Sequence, residues 1–317
     1  MRIVIVTPAA AGSRLGNRHT ALRWARMLRT LGAHVDVATD WASGNHELMI
    51  ALHARRSRPA LLAFKAHHPD RPAILALTGT DVYRDIRLDA GAAAALDLAD
   101  RLVVLQAAAL TELTPRQRDK AVVIYQSERA RGRWQPPHRF VRFCTLGHLR
   151  TEKDPFRAVH ALQRIADPQL RLVQAGAALT PAFAAEAHGL MAVEPRYRWR
   201  GDLPHGTALD LLRHSHALIV SSLMEGGAHV VSEAIVQSVP VLASDIAGNR
   251  GLLGDDYPGC FPVGDDAALA ALMAQAAHDD AFLPRLAQAV EQRQALFAPA
   301  RETAAWRAVL GSLHRPG

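Results

Sequence analysis

Short, almost unbroken apolar runs alternate along this chain with stretches in which apolar residues recur every three or four positions. The first run, residues 2–7, has the near-continuous apolarity of a strand buried on both faces of a parallel sheet. Residues 17–31 then carry Ala21, Leu22, Ala25, Leu28 and Leu31 at helical spacing, with Arg23, Arg26 and Arg29 opposite and Gly32 as a stop. Further strands are predicted at 34–39, 48–52, 73–77, 101–105 and 121–125, with helical stretches between most of them. That alternation predicts a doubly wound α/β unit.

The pattern breaks at 129–139, where Arg131, Gly132, Arg133, Trp134, Gln135, Pro136 and Pro137 continue neither a helix nor a central strand, and the segment reads as a linker. A second series follows. Its strands fall at 140–146, 170–175, 197–200, 217–221 and 239–243, its helices at 155–165, 181–191, 206–213 and 228–237, and residues 266–314 are mostly helical. Two similar halves predict two Rossmann-like domains, 1–128 and 140–295, with parallel sheets facing a central cleft. A C-terminal helix at 296–317 then packs back on the first domain or caps the second sheet. The length of 317 residues suits that plan at roughly 100–200 residues per domain.

Composition narrows the class. Hydrophobic residues at 49% and charged residues at 21% fit a soluble globular protein, and no apolar run reaches the roughly 18–20 residues of a membrane span. Thr7 and Pro8 cut the first apolar run short of a signal-peptide core, so the chain reads as cytoplasmic with no stable membrane insertion. Cys144 and Cys260 are too few for a disulfide framework and sit among apolar neighbours, as buried free thiols do. The net charge of +7 raises a nucleic-acid partner, but the basic residues are scattered and aromatics reach only 5%, which argues against one. Small anions such as phosphates and nucleotide sugars explain local arginines equally well. Of 37 basic residues only Lys65, Lys120 and Lys153 are lysines, so a lysine kept against that bias points to chemistry.

Three loops carry candidate chemistry. The first, 7–19, joins the first strand to the first helix and holds Gly12, Arg14, Gly16, Asn17, Arg18 and His19. Free N–H groups at a helix start, with glycines and cations beside them, suit an anion. The spacing is neither G-x-G-x-x-G nor a P-loop, which removes dinucleotide and NTPase fingerprints. The second, Gly147-His148-Leu149-Arg150-Thr151-Glu152-Lys153, follows the first strand of the second series, and its cations can clamp a diphosphate. The third runs from Ser221 to Ala234. Glu225 sits in the loop and Glu233 on the following helix, with Gly226, Gly227 and Ala228 between them offering backbone N–H groups. No histidine spacing suits a metal: His46-Glu47 meets Ile50 where a zinc protease needs histidine. No metal or resident cofactor is expected, with Lys, Arg and helix N-termini neutralising the diphosphate.

These segments resemble, in order and over most of the chain, the motifs of glycosyltransferase family 4, which has the GT-B fold. Glu225 to Glu233 resembles its E-x7-E motif, Gly147 to Lys153 its G-R-L-x-x-x-K stretch, and Tyr197 to Pro204 its loop beside the nucleotide base. Thr78-Gly79-Thr80-Asp81 resembles its H-G-x-D element and 123–127 its inter-domain strand. The resemblance implies Lys153 on the donor diphosphate, shared with His148 or Arg150, and Glu233 on the ribose hydroxyls. It places Glu225 with the amides of Gly226, Gly227 and Ala228 on the transferred sugar, and Gly201 and Leu203 by the base; Gly16 joins the donor set. Lys153, Glu225 and Arg150 are the catalytic candidates. Two positions depart from the pattern, His148 standing where the motif has arginine and Thr78 where it has histidine.

Within that superfamily the chain is similar to the selenosugar synthases of selenoneine biosynthesis, on residues 8–25, 51–57, 76–86 and 147–155. That similarity implies transfer of N-acetylglucosamine or glucose from UDP-N-acetylglucosamine or UDP-glucose to selenophosphate. A selenophosphate acceptor is already an anion and needs positioning rather than a base. Arg14, Asn17, Arg18, His53, Arg56 and Thr80, with Arg55 and Arg84, are the candidates to hold it. A glycosyltransferase with a small hydroxyl acceptor, a UDP-sugar epimerase and a non-enzymatic nucleotide-sugar binder remain as alternatives.

Overall fold

The computed structural model describes residues 1–13 and 16–313. They form two compact units, Met1–Ser127 with the segment from Ala298 onward, and Glu128–Phe297. Each is a parallel sheet of six strands with helices on both faces.

The first unit holds β1 (Arg2–Val6), β2 (His34–Ala38), β3 (Leu48–Leu52), β4 (Ala73–Leu77), β5 (Arg101–Val104) and β6 (Ala121–Val123), in spatial order β2-β1-β3-β4-β5-β6. All neighbouring strands are parallel. The unbroken apolar runs follow from this: Val4, Val6, Met49 and Ala51 enter the core on one face, while Ile3, Ile5, Leu48 and Ile50 enter the core on the other. A sheet covered on both sides has no polar face to alternate with.

Helix Gly16–Thr30 forms where expected, but its buried face is Ala21, Trp24, Ala25 and Leu28 with Thr20. Leu22, expected inside, is 39% exposed, and Trp24 takes the interior place. The reason is long-range. The C-terminal helix Pro299–Leu313 packs on this unit and brings Trp306 edge-on to Trp24, centroids 4.8 Å apart. The Trp24 indole N–H donates to Glu302 at 2.7 Å, and Glu302 also accepts from the Ser127 backbone N–H (2.8 Å) and hydroxyl (2.6 Å).

The second unit holds β7 (Val141–Leu146), β8 (Leu170–Ala175), β9 (Tyr197–Trp199), β10 (Ala217–Val220), β11 (Val241–Ser244) and β12 (Cys260–Phe261), in the order β12-β11-β10-β7-β8-β9, again all parallel. Counted within the unit this is 6-5-4-1-2-3, the Rossmann order. The stretch 129–139, expected as a linker, belongs to this unit. It has no regular structure but is fastened down, the Trp134 indole donating to the Ser215 carbonyl at 2.8 Å and the Gln135 N–H to that of Arg213 at 2.9 Å. Cys144 is buried and its thiol pushed up to about 12 by burial, whereas Cys260 is only half-buried, against the expectation of two buried thiols. No helix of the described residues is long and apolar enough to cross a membrane.

Candidate functional site

In an open parallel sheet, the chain leaves the carboxyl ends of neighbouring strands in opposite directions where the strand order reverses, and a crevice opens there. In the second unit that place lies between β7 and β10. The two loops leaving it are those carrying Lys153 and Glu225.

The loops are joined by side chain and backbone together. The Lys153 ammonium donates to Oε1 of Glu225, which also accepts from the Ser222 hydroxyl at 2.8 Å. The Ser221 hydroxyl reaches the carbonyls of Lys153 (3.1 Å) and Asp154 (2.8 Å), and the Leu223 N–H donates to the Glu152 carbonyl at 2.9 Å. Two glycines on neighbouring segments let backbone lie tight against these loops. A Cβ at Gly248 would lie 2.0 Å from the Glu225 carbonyl oxygen, and one at Gly176 (φ +146°) would lie 1.9 Å from that of Gly147. Gly147, His148, Lys153, Ser221 and Ser222 line one small cavity. His148 accepts the Ala177 N–H at Nδ1 (3.2 Å), so a neutral ring carries its proton on Nε2 and offers a donor rather than the arginine fork of the family motif. Arg150 is half-exposed, its Nε 4.0 Å from Glu152.

The second carboxylate sits on helix His229–Val236, one residue beyond Ala228. Glu233 is buried, and its Oε1 receives Nε2 of His205 at 2.6 Å and lies 3.4 Å from Nδ1 of His229. Nε2 of His229 in turn lies 2.6 Å from Glu128. Burial alone would raise the Glu233 carboxyl, but the hydrogen bonds to His205 and His229 outweigh it and hold it at about 2. Its partner His205 is raised in return, chiefly by that hydrogen bond. Among the described residues no group of three or more His, Cys, Asp or Glu side chains could hold a metal ion. Gly201 (φ +63°) accepts the Gly176 N–H at 2.7 Å, and the Trp199 indole donates to the Gly176 carbonyl at 2.9 Å, so the segment with Gly201 and Leu203 is tied to the loop after β8.

In the first unit the order reverses between β1 and β3. Asn17 and Arg18 follow β1, His53 and Arg56 follow β3, and Thr80 follows the adjacent β4, so the topology sets these candidates along one sheet edge. Arg14 lies outside the described residues; Gly16, expected in the donor set, opens the first helix of this unit. His53 has a left-handed backbone (φ +79°) and is 3% exposed, its Nδ1 accepting the Arg56 N–H at 3.4 Å and its Nε2 3.7 Å from Asp85. Burial lowers its pKa. Asp81 is buried as a brace, accepting the N–H groups of Ala54 (2.9 Å) and Gly79 (2.8 Å). Thr80 accepts from Arg84 at 3.4 Å, and Arg84 is held by Asp85 at 3.0 Å. Arg56 is exposed, and Nε of Arg18 is buried without a hydrogen-bond partner.

His205, His229 and Glu128 were given no role by sequence reasoning. His229 and Glu233 are four residues apart on a helix, a spacing that puts side chains in contact and could have been read. Glu128 carries no such signal, because only the fold brings it to His229.

Two doubly wound parallel α/β units, the second in the Rossmann strand order with a cation–carboxylate cluster at its switch point, match the GT-B class of fold. The model of the glycosyl transferases group 1 family matches residues 126–294, more than half of the chain, and the chain belongs to that family. Among solved structures it is similar to sucrose-phosphate synthase from Thermosynechococcus elongatus (TM-score 0.79, 17% identity, 98% of each chain). It is also similar to Anabaena HepE in complex with UDP and glucose (TM-score 0.77, 16% identity, 98% of this chain and 100% of that one). A curated relative, glycosyltransferase 1 domain-containing protein 1 of Xenopus tropicalis, is 30% identical over 125 residues, and the match spans 38% of this chain and 35% of the relative.

Proposed function

We propose that this protein is a glycosyltransferase that moves N-acetylglucosamine or glucose from a UDP-sugar to selenophosphate. The observation that carries the donor half is the cluster at the switch point of the second unit. There Lys153 supplies a compact positive charge for the diphosphate, Glu225 and the N–H groups beside it meet the sugar, and ionised Glu233 accepts hydrogen bonds from the ribose hydroxyls. The solved structures of HepE with UDP and with UDP-glucose support a donor of that kind on this fold.

In the reaction the bond from the anomeric carbon to the diphosphate oxygen breaks, and UDP departs with its electron pair. Lys153, with Arg150 nearby and His148 as an N–H donor, stabilises the charge that grows on the leaving oxygen. A selenium lone pair of the acceptor forms the new carbon–selenium bond. The acceptor arrives as an anion, so no side chain has to take a proton from it, and the first unit needs cations rather than a base. Arg18, Arg56 and Arg84 near the sheet edge suit that role, and the similarity of residues 8–25, 51–57 and 76–86 to selenosugar synthases supports it.

The test is mass spectrometry of products from UDP-N-acetylglucosamine and UDP-glucose, with and without selenophosphate. The expected product carries the sugar and the isotope pattern of selenium, with UDP released in equal amount. Transfer to a hydroxyl acceptor alone, conversion of the donor without any acceptor, or UDP binding with no turnover would each replace this reading by another.

A further inference from the structure

The Glu233 carboxylate is served on one side only. Nε2 of His205 and Nδ1 of His229 both address Oε1, at 2.6 Å and 3.4 Å. Oε2 has no partner among the described residues and is not among the buried unsatisfied atoms, so it remains open to a ligand. A carboxylate on a helix can turn about its terminal bond, and something must stop it doing so if one oxygen is to keep facing a bound molecule. His229 can do this because it is itself gripped: its second nitrogen lies 2.6 Å from Glu128. An imidazole with a carboxylate at each nitrogen satisfies both only by donating from both, which is the charged form and the strongest clamp available to the ring. Glu128 is the first residue of the second unit, and its backbone N–H is tied to the Phe297 carbonyl at 3.1 Å, where the chain leaves that unit again.

We propose that His229, anchored by Glu128, is a positioning residue that fixes Glu233 with Oε2 turned to the ribose of the donor. This rests on the reading that Glu233 binds ribose. It makes Glu128, far off in sequence, a determinant of sugar recognition in the nucleotide through its hold on His229. His205 is the outer clamp, more than half exposed on the segment that follows the base loop.

The test compares binding of UDP and of 2′,3′-dideoxy-UDP by calorimetry in wild type, Glu128→Gln, His229→Asn and Glu233→Gln. Both positioning substitutions are close in shape to the native residue, and thermal melting checks that each variant is folded. The expected result is that Glu128→Gln and His229→Asn weaken UDP about fivefold to tenfold and dideoxy-UDP by less than twofold, so the preference for the hydroxylated ribose shrinks. A purely structural role would weaken both ligands alike, and that outcome, or an unchanged preference in either variant, overturns the proposal. If Glu233→Gln itself leaves the preference intact, it is the ribose reading that fails. Loss of preference in Glu233→Gln alone leaves that reading standing and removes the relay.

Discussion

The carboxyl edges of the two sheets are built from the same plan and differ in how their charges are settled. In the second unit nearly every charged group at the switch point has an opposite partner: Lys153 with Glu225, His205 and His229 with Glu233, Glu128 with His229. In the first unit the carboxylates are sunk as braces, Asp81 on backbone N–H groups and Asp85 beside His53 and Arg84, while Arg56 is exposed and Nε of Arg18 has no partner. One edge is a pre-assembled set of polar groups, which suits a large ligand with fixed hydroxyls and phosphates. The other, among the described residues, presents an exposed Arg56 and an Arg18 whose Nε has no hydrogen-bond partner, and such cations suit a small anion. Preorganised dipoles cost no rearrangement when a ligand's charge changes, so the difference also says where chemistry is to be stabilised.

The comparison is most severely tested at Lys153. Lys153→Ala removes the cation of the second edge and is expected to lower turnover by about a hundredfold or more, with the melting temperature nearly unchanged. Steady-state kinetics alongside thermal melting would show it, and near-normal turnover would break the assignment. Next in size is Glu302→Ala in the first unit. It leaves the Trp24 and Ser127 donors unpaired in a buried place and should cost about 3 kcal/mol of stability, while UDP affinity of the surviving folded protein stays as in wild type. Denaturant unfolding followed by UDP titration separates the two. If selenophosphate is the acceptor as proposed, Arg18→Ala should raise its apparent KM about tenfold or more and leave the KM for UDP-sugar alone, one lost charged hydrogen bond being worth about 1.5–3 kcal/mol. Equal shifts in both constants would dissolve the contrast between the edges.

The smallest effect concerns pH. The Glu233 carboxyl sits at about 2 in the folded chain against 4.5 for an ordinary glutamate, so its ionised contacts stabilise the fold above about pH 4.5, and that stabilisation is lost as pH falls toward 2. The gap in melting temperature between wild type and Glu233→Gln should therefore be widest between about pH 4.5 and pH 6.5, where Glu233 is ionised and His205 is charged as well, and close between pH 4.5 and pH 2. A gap that stays constant over that range would mean the histidines do not hold the carboxylate ionised.

Local patterns in the sequence carried much of the fold. The strand runs of both units and the first helix, read from residue 17 and beginning at Gly16, are decided by neighbours within a few residues. The loops with Lys153, Glu225 and Glu233 were also legible, because glycines and charged side chains after a buried strand have few other uses. Nothing local announced the exchange of Leu22 for Trp24 on the first helix, since the partner that buries Trp24 is Trp306, near the other end of the chain. The anchoring of 129–139 through Trp134 was equally hidden.

What the sequence determined by itself, then, is the alternation of strands and helices, the parallel sheets and the chemistry offered by each loop, because these depend on side-chain pattern and short-range geometry. Which groups meet was decided by the tertiary structure alone. Lys153 finds Glu225 only once β7 and β10 lie side by side, and Glu128 finds His229 only where the chain enters the second unit. Pairing of charges falls off over a few ångströms, and separations that short between distant residues exist only after the strands have been ordered.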